Sequence, residues 1–196
     1  MLSILLVGIG SRASEDDAVG LVLAEEMARR GLAGVTVELW EDRDPLDVAA
    51  GLVEISDRDP EITVVLVDCA ELGLAPGCWR AFDLDEAELA ERAGGPSVHG
   101  VGLADGLALA RALGFVNPVR VFGVQPFSVE PGRLSLSLPM ATRLPSLGTA
   151  LADELAVRTR RERPSDGEAS PGEGAPAEPG RVSGGGGTAT RQGRVG

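Results

Sequence analysis

Hydrophobic and polar positions of the first thirty residues predict a strand, a glycine loop and a helix. Residues 2–7 form a short run rich in branched apolar side chains, which is typical of a buried strand. The loop that begins at Gly8 and Gly10 ends in three acids at positions 15–17, and apolar residues then recur at helical spacing over 18–30. This order is the opening unit of an open α/β sheet, which binds ligands at the carboxyl ends of its strands.

Apolar segments continue to alternate along the chain to about residue 158. Strands are predicted over residues 34–40, 62–67, 76–83 and 119–124, and helices over residues 46–55, 85–92, 100–113 and 142–158. The continuously apolar segment 62–67 is typical of a central parallel strand, whereas 76–83 is expected near a sheet edge. These elements predict an α/β fold, a three-layer α/β/α sandwich with a mainly parallel twisted sheet.

The composition divides the chain into two parts. Residues 1–160 form the predicted α/β domain, and residues 161–196 are dominated by Gly, Pro, Ser and Glu, which predicts a disordered Gly/Pro-rich tail. The five arginines and five acids of the tail cancel, so the formal net charge of −12 belongs to the domain. An acidic domain of this kind repels nucleic acid and anionic membranes, and we expect neither as a partner.

The remaining global features indicate an ordinary cytoplasmic protein. The two cysteines, Cys69 and Cys78, have no zinc-site spacing and are expected to be reduced thiols rather than a disulfide. No basic segment precedes the first strand, and no apolar run approaches transmembrane length. We therefore expect a cytoplasmic protein, with a monomer as the simplest state.

One functional alternative is a dinucleotide-binding module. Gly8, Gly10 and Ala13 satisfy the pattern G-x-G-x-x-G/A after a strand, and Glu38 or Glu41 lies about where a ribose-binding acid is expected. However, a pyrophosphate requires a bare, positive helix N-terminus. Three consecutive acids occupy that place here, so the charge of the loop opposes this interpretation.

Three residues instead combine into a candidate metal site. Asp17 ends the acidic loop, Asp68 follows the central strand, and His99, the one histidine of the chain, precedes the helix predicted from residue 100. These positions converge at one rim of an open parallel sheet. Two carboxylates and an imidazole suit a divalent metal such as zinc, nickel or iron. Taken singly, each residue also has a structural explanation as a helix cap or a turn residue, and spacing alone leaves that alternative open.

Four short stretches also carry a shared set of motifs. Residues 8–20 match G-x-G-N-x-x-x-x-D-[DE]-x-x-G except at Ser11, residues 67–70 match a strand-ending V-D-A motif, residues 97–103 match S-x-H-x-x-G-L, and residues 123–132 are similar to G-I-Q-P…V-E. In this order and spacing they resemble the hydrogenase maturation endopeptidases, which process the large subunit of nickel-iron hydrogenases. The resemblance covers about residues 2–157.

The resemblance implies an endopeptidase that removes a C-terminal peptide from the nickel-loaded precursor of a hydrogenase large subunit. The nickel would be supplied by the precursor, and zinc or another divalent ion could bind in vitro. The metal-contacting positions of the family fall on Asp17, Asp68 and His99, supported by the loop that contains Gly8, Gly10 and Asp16.

Two departures from the family pattern keep a rival hypothesis open. Ser11 replaces the family's asparagine, and Asp17 is one methylene shorter than the frequent Glu, so that Glu15 or Asp16 could share its role. Cys69 is not a candidate nucleophile, because acidic neighbours raise the pKa of a thiol. The rival is a non-catalytic chaperone or adaptor that binds the hydrogenase precursor without cleaving it.

Overall fold

The computed structural model describes residues 3–84 and 103–161, with side chains to residue 158. The elements in chain order are β1 (Ile4–Gly10), a 3-10 helix (Glu15–Ala18), α1 (Val19–Arg30), β2 (Val35–Glu41), α2 (Pro45–Arg58), β3 (Thr63–Cys69), β4 (Trp79–Asp83), α3 (Leu103–Ala112), β5 (Val119–Val124) and α4 (Leu138–Arg161). The predicted helix over 85–92, His99, and the tail beyond residue 161 lie outside the described residues. The division of the chain at residue 160 therefore stays a prediction.

The strands form one mainly parallel sheet in the order β2-β1-β3-β5-β4. β4 lies at an edge and pairs antiparallel with β5, while the other neighbouring strands are parallel. Alternate residues of each strand point to opposite faces of the sheet, and both faces are apolar. Helices therefore cover both faces. One buried cluster joins β1 to α2 and α3, and the other joins β1 to α1 and α4. The predicted three-layer α/β/α sandwich is thus confirmed.

The structure differs from the predicted elements mainly at their ends. β1 continues through Gly8 to Gly10, where a loop was expected, because the strand remains paired with β2 as far as Glu41. The helix expected from residue 142 begins at Leu138 and accommodates Pro145 within it. Among residues 3–84 and 103–161, no helix has the length and apolar character needed to cross a bilayer.

Two glycines allow the start of α1 to lie directly against the sheet. A Cβ at Gly20 would lie 2.3 Å from the carbonyl oxygens of both Ile9 and Val67, and one at Gly8 would lie 2.6 Å from the Ala24 Cβ. No side chain fits at these distances. The close approach brings the acidic 3-10 helix to the carboxyl ends of β1 and β3.

We predict that Gly20→Ala destabilises the fold by about 3 kcal/mol, because the added methyl group meets two backbone oxygens that cannot move independently. The free energy of unfolding in urea measures this. The matched control is Gly148→Ala in α4, where the new methyl group meets only the carboxylate end of Glu26. The control should change stability by about 1 kcal/mol or less. Equal effects at the two positions would contradict the proposed close packing.

Candidate functional site

A cleft of about 410 Å³ opens at the carboxyl ends of β1 and β3. The cleft is lined by the end of β1 and the loop after it, the loop between β2 and α2 with the start of α2, the end of β3 with the loop after it, the first residue of α3, and the segment after β5. The lining residues that carry the argument are Asp17, Asp42, Arg43, Asp68, Cys69, Glu71, Pro126 and Val129. The position agrees with the rule that open parallel sheets bind ligands at this rim.

The structure brings together two of the three predicted metal-binding residues. Asp17, on the 3-10 helix, and Asp68, near the end of β3, both line the cleft. Burial and the nearby charge of Asp17 raise the pKa of Asp68 to about 8, against a lowering contribution from the Cys69 backbone N–H. The two carboxylates are therefore close enough to repel each other, and a cation between them would remove that repulsion.

His99 lies outside the described residues, so its place in the site stays a prediction. Leu103, four residues further on and first in α3, lines the cleft. Within residues 3–84 and 103–161, no group of three His, Cys, Asp or Glu side chains is arranged to hold a metal ion. The described part of the site thus contributes a carboxylate pair.

Asp16 has a different role from its neighbour Asp17. Its carboxylate is fully buried and does not line the cleft. Its Oδ2 accepts hydrogen bonds from the backbone N–H of Phe127 (3.0 Å), the N–H of Ser128 (3.2 Å) and the Ser137 hydroxyl (3.0 Å), and its Oδ1 accepts from the Ser137 N–H (2.8 Å). The suggestion that Asp16 could share the metal role is wrong, because these donors occupy both oxygens inside the protein.

The other acid considered for that role is also turned away from the cleft. Glu15 is buried, with 8% of its surface exposed, and does not line the cleft. It adopts φ +52°, which is uncommon for a residue with a side chain. Its backbone N–H donates to the Arg133 carbonyl oxygen at 2.9 Å. Asp17 is therefore the member of the acidic run that faces the cleft.

The segment 126–137 forms a wall of the cleft that the sequence did not assign to the site. Besides the bonds to Asp16, the Gly132 N–H donates to the Ala13 carbonyl at 2.7 Å and the Asp16 N–H donates to the Ser128 carbonyl at 3.3 Å. Pro126 and Val129 face the cleft from this wall. The family motif over residues 123–132 was the one sequence feature that pointed to this segment. Most of its side chains are apolar or small, so the motif did not indicate a role in the site.

Gln125 fixes the loop after β3, which also lines the cleft. Its side chain is 5% exposed, and its Oε1 accepts hydrogen bonds from the N–H groups of Leu72 (2.8 Å) and Leu74 (3.2 Å). These bonds hold the loop after β3, which includes the cleft residue Glu71. Gln125 therefore acts by positioning the loop, a role that sequence reasoning did not identify.

Cys69 lines the cleft but is not equipped as a nucleophile. Burial, followed by the charges of Asp68, Asp17, Asp16 and Glu71, raises the pKa of its thiol far above the ordinary value. The thiol therefore remains protonated at neutral pH and is a poor attacking group. The direction of this shift agrees with the prediction that Cys69 is not a nucleophile, and both Cys69 and Cys78 are free thiols as expected.

The loop after β1 is not built to bind a dinucleotide. A Cβ at Gly10, which has φ +145°, would lie 1.9 Å from the Asp17 carbonyl oxygen, so this glycine accommodates the 3-10 helix. Arg12 is paired with Glu25 at 2.7 Å and Glu41 at 3.3 Å. Glu38 bonds to the Trp40 indole N–H at 3.1 Å. The acids considered for ribose binding and the nearest cation are thus already paired with other side chains.

The fold and cleft define an α/β/α protein with a carboxylate pair at the sheet's ligand-binding rim, and comparison with known proteins supplies its family. The hydrogenase maturation protease family, HycI, matches residues 51–154. The hydrogenase expression/formation protein HupM of Azotobacter chroococcum mcd 1 is 30% identical over 169 residues, which covers 85% of this chain and 78% of HupM. This chain belongs to the hydrogenase maturation protease family.

A second relative agrees with this assignment, and solved structures share the fold. The hydrogenase expression/formation protein HupD of Thiocapsa roseopersicina is 30% identical over 165 residues, covering 81% of this chain and 72% of HupD. The hydrogenase maturating endopeptidase HybD from E. coli shares the fold with a TM-score of 0.61 at 22% identity, over 80% of this chain and 94% of HybD. The protease HycI from Thermococcus kodakarensis KOD1 gives 0.57 at 23% identity, over 79% and 92% of the respective chains.

We predict that Asp16→Asn destabilises the protein by about 2–4 kcal/mol, because the new amide NH₂ group faces N–H and O–H donors instead of accepting from them. Ser137→Ala removes the hydroxyl that donates to Asp16 and that accepts from the Met140 N–H at 3.3 Å, and should cost about 1–2 kcal/mol. Urea unfolding measures both. The exposed acid variant Asp57→Asn serves as control and should stay within about 0.5 kcal/mol of wild type. An Asp16→Asn variant as stable as that control would disprove the anchoring role.

We predict that Asp68→Asn stabilises the metal-free protein more at pH 8 than at pH 5. The folded-state pKa of about 8 lies above the ordinary 3.8, so the stabilising contribution of Asp68 is complete below about pH 4 and is lost as the pH rises towards 8. Asparagine has no such loss. The stabilisation of the variant relative to wild type should therefore be larger at pH 8 than at pH 5 by on the order of 4 kcal/mol. Urea unfolding at both pH values tests this, with Asp57→Asn expected to show no pH-dependent difference from wild type.

Proposed function

We propose that this protein is the endopeptidase that removes a C-terminal peptide from the nickel-loaded precursor of a nickel-iron hydrogenase large subunit. Family membership supports a protease that acts in hydrogenase maturation. The observation that carries the finer proposal is the pair formed by Asp17 and Asp68, two mutually repelling carboxylates in one cleft. Such a pair favours a bound cation, and in this reaction the precursor brings one.

In the proposed reaction the nickel belongs to the substrate. Asp17 and Asp68 would contact it from the cleft, and His99 is the proposed third ligand because the chain enters α3 beside the cleft at Leu103. Oxygen and imidazole ligands suit nickel and also zinc, so zinc could occupy the same residues in vitro. When bound, the metal would supply either Lewis-acid activation of the scissile carbonyl or a recognition point for the loaded precursor.

The protein's own residues would bind and orient the precursor tail. Pro126 and Val129 and the loop after β3 both line the cleft, and the buried side chains of Asp16 and Gln125 hold these two segments in place. Fixed walls keep a peptide in one orientation relative to the carboxylate pair, which is a large part of what an enzyme supplies to hydrolysis. The protonated Cys69 thiol supplies no nucleophile.

Ser11, which replaces the family's asparagine, makes a local hydrogen bond in its loop. Its Oγ accepts a hydrogen bond from the Ala13 N–H at 3.2 Å, so the hydroxyl closes the turn locally. The replacement therefore leaves an ordered loop beside the cleft, as catalysis requires. The adaptor hypothesis, in which the protein binds the precursor without cutting it, is tested by the cleavage experiment described next.

We predict that the full-length protein shortens a nickel-loaded, unprocessed hydrogenase large subunit at its C-terminus, as measured by mass spectrometry, and leaves the nickel-free precursor intact. Asp17→Asn, Asp68→Asn and His99→Ala should each slow cleavage by about 100-fold or more, because each removes one metal contact. Asp57→Asn is the matched control and should cleave normally.

Two results would contradict the proposal. Cleavage of the nickel-free precursor at the wild-type rate would remove the metal from recognition and catalysis. A stable complex with the loaded precursor, without loss of a peptide, would establish the adaptor instead.

A further inference from the structure

Arg43 is the single basic residue among the described residues that line the cleft. The acids that line the same cleft are Asp17, Asp42, Asp68 and Glu71. A guanidinium surrounded by carboxylates would ordinarily form an ion pair with one of them. The contacts that Arg43 makes in place of such an ion pair therefore indicate what the cleft can bind.

The Arg43 guanidinium is held over an aromatic ring. Its Cζ lies 4.5 Å from the centre of the Trp40 ring, at the distance of a cation–π contact. Trp40 is 2% exposed, and its indole N–H donates to Glu38 at 3.1 Å, so the ring is fixed. A Cβ at Gly51 would lie 2.9 Å from Arg43 Nη1 and 3.0 Å from the Trp40 ring, so the glycine leaves room for the stacked pair.

Within the described residues, Arg43 forms no ion pair, which distinguishes it from most other arginines. Arginines that pair with carboxylates are Arg12, Arg30, Arg58, Arg120, Arg133 and Arg158. The adjacent Asp44 is used elsewhere, because its Oδ1 accepts from the Asp47 N–H at 2.9 Å and caps α2. Arg43 therefore presents a positioned, uncommitted cation to the cleft.

We propose that Arg43 is the carboxylate-binding, specificity-determining residue of the cleft, and that it binds an anionic group of the precursor segment. The group is either an Asp or Glu side chain or the α-carboxylate at the end of the chain. This proposal rests on the proposed function for its substrate, although carboxylate binding itself does not. A guanidinium stacked on a ring keeps its N–H edges available for two parallel bonds to a carboxylate, and its fixed position lowers the entropic cost of binding.

A peptide titration tests carboxylate binding without any proteolysis. Three probes are used: acetyl-Ala-Asp-Ala-amide with a side-chain carboxylate, acetyl-Ala-Ala-Ala with a free α-carboxylate, and the neutral acetyl-Ala-Asn-Ala-amide. We expect one charged peptide to shift the Arg43 side-chain N–H resonance of the full-length protein at millimolar concentration, and the neutral peptide to leave it unchanged. The charged peptide that acts identifies the source of the carboxylate. Equal shifts from charged and neutral peptides, or none from any, would overturn the proposal.

The cleavage reaction provides the second measurement. Arg43→Ala should raise KM for the nickel-loaded precursor by about 10- to 100-fold, the scale of a lost charged contact, with a smaller change in kcat. Arg43→Lys should recover only part of the loss, because an ammonium group lacks the planar fork. Arg29→Ala, an exposed arginine on α1, is the matched charge control and should behave as wild type.

The two measurements separate failure of this proposal from failure of the proposed function. If the wild-type protein does not cleave the precursor, the peptide titration still decides whether Arg43 binds carboxylates. If the wild-type protein cleaves and Arg43→Ala cleaves with unchanged KM, the protease stands and the role of Arg43 is disproved.

Discussion

The site depends above all on the buried carboxylate of Asp16. A charged group removed from water is strongly destabilising unless hydrogen bonds replace its hydration. Here four donors from Phe127, Ser128 and Ser137 supply that replacement. The bonds join the loop after β1 to the segment after β5, two parts of the chain more than a hundred residues apart. One wall of the cleft and the short helix that carries Asp17 are therefore fixed to each other by one buried side chain, which adds to the backbone hydrogen bonds between the same segments.

The acid run divides its roles because of helix geometry. Glu15–Ala18 forms a 3-10 helix, in which successive residues point about 120° apart. Asp16 and Asp17 consequently cannot face the same surroundings: one enters the interior and the other enters the cleft. The glycines at positions 8 and 20 allow this short helix to lie against the strand ends. Burial and, after it, the nearby charge of Asp17 then raise the pKa of Asp68.

The sequence predicts the layers of this fold better than it predicts the duties of single residues. The apolar segment 62–67 and its helical neighbours identify a parallel sheet, because burial on both faces leaves a continuous pattern. The pairing of Asp17 with Asp68 follows from the same topology. In contrast, an acid that anchors a loop and an acid that faces a cleft look alike in sequence. The roles of Asp16, Gln125 and Arg43 depend on contacts across about 50 to 120 residues or on ring geometry, which spacing does not encode.

The proposed substrate carries a metal ion and an anionic group. The cleft has carboxylates that could contact the first and an arginine that could contact the second. When both are ionised, Asp17 and Asp68 repel each other and any approaching carboxylate, and a cation between them would remove that repulsion. Under the proposed function, a metal-loaded precursor would bring that cation, whereas an unloaded precursor would meet the carboxylate pair without it. Arg43, held on Trp40 apart from the carboxylate pair, offers a separate place for an anion. A precursor that carries both a metal ion and a suitably spaced carboxylate would satisfy both subsites at once. The protein would then select a precursor by two electrostatic contacts in one cleft. The carboxylate pair would recognise the bound metal, and Arg43 would recognise the precursor's own carboxylate.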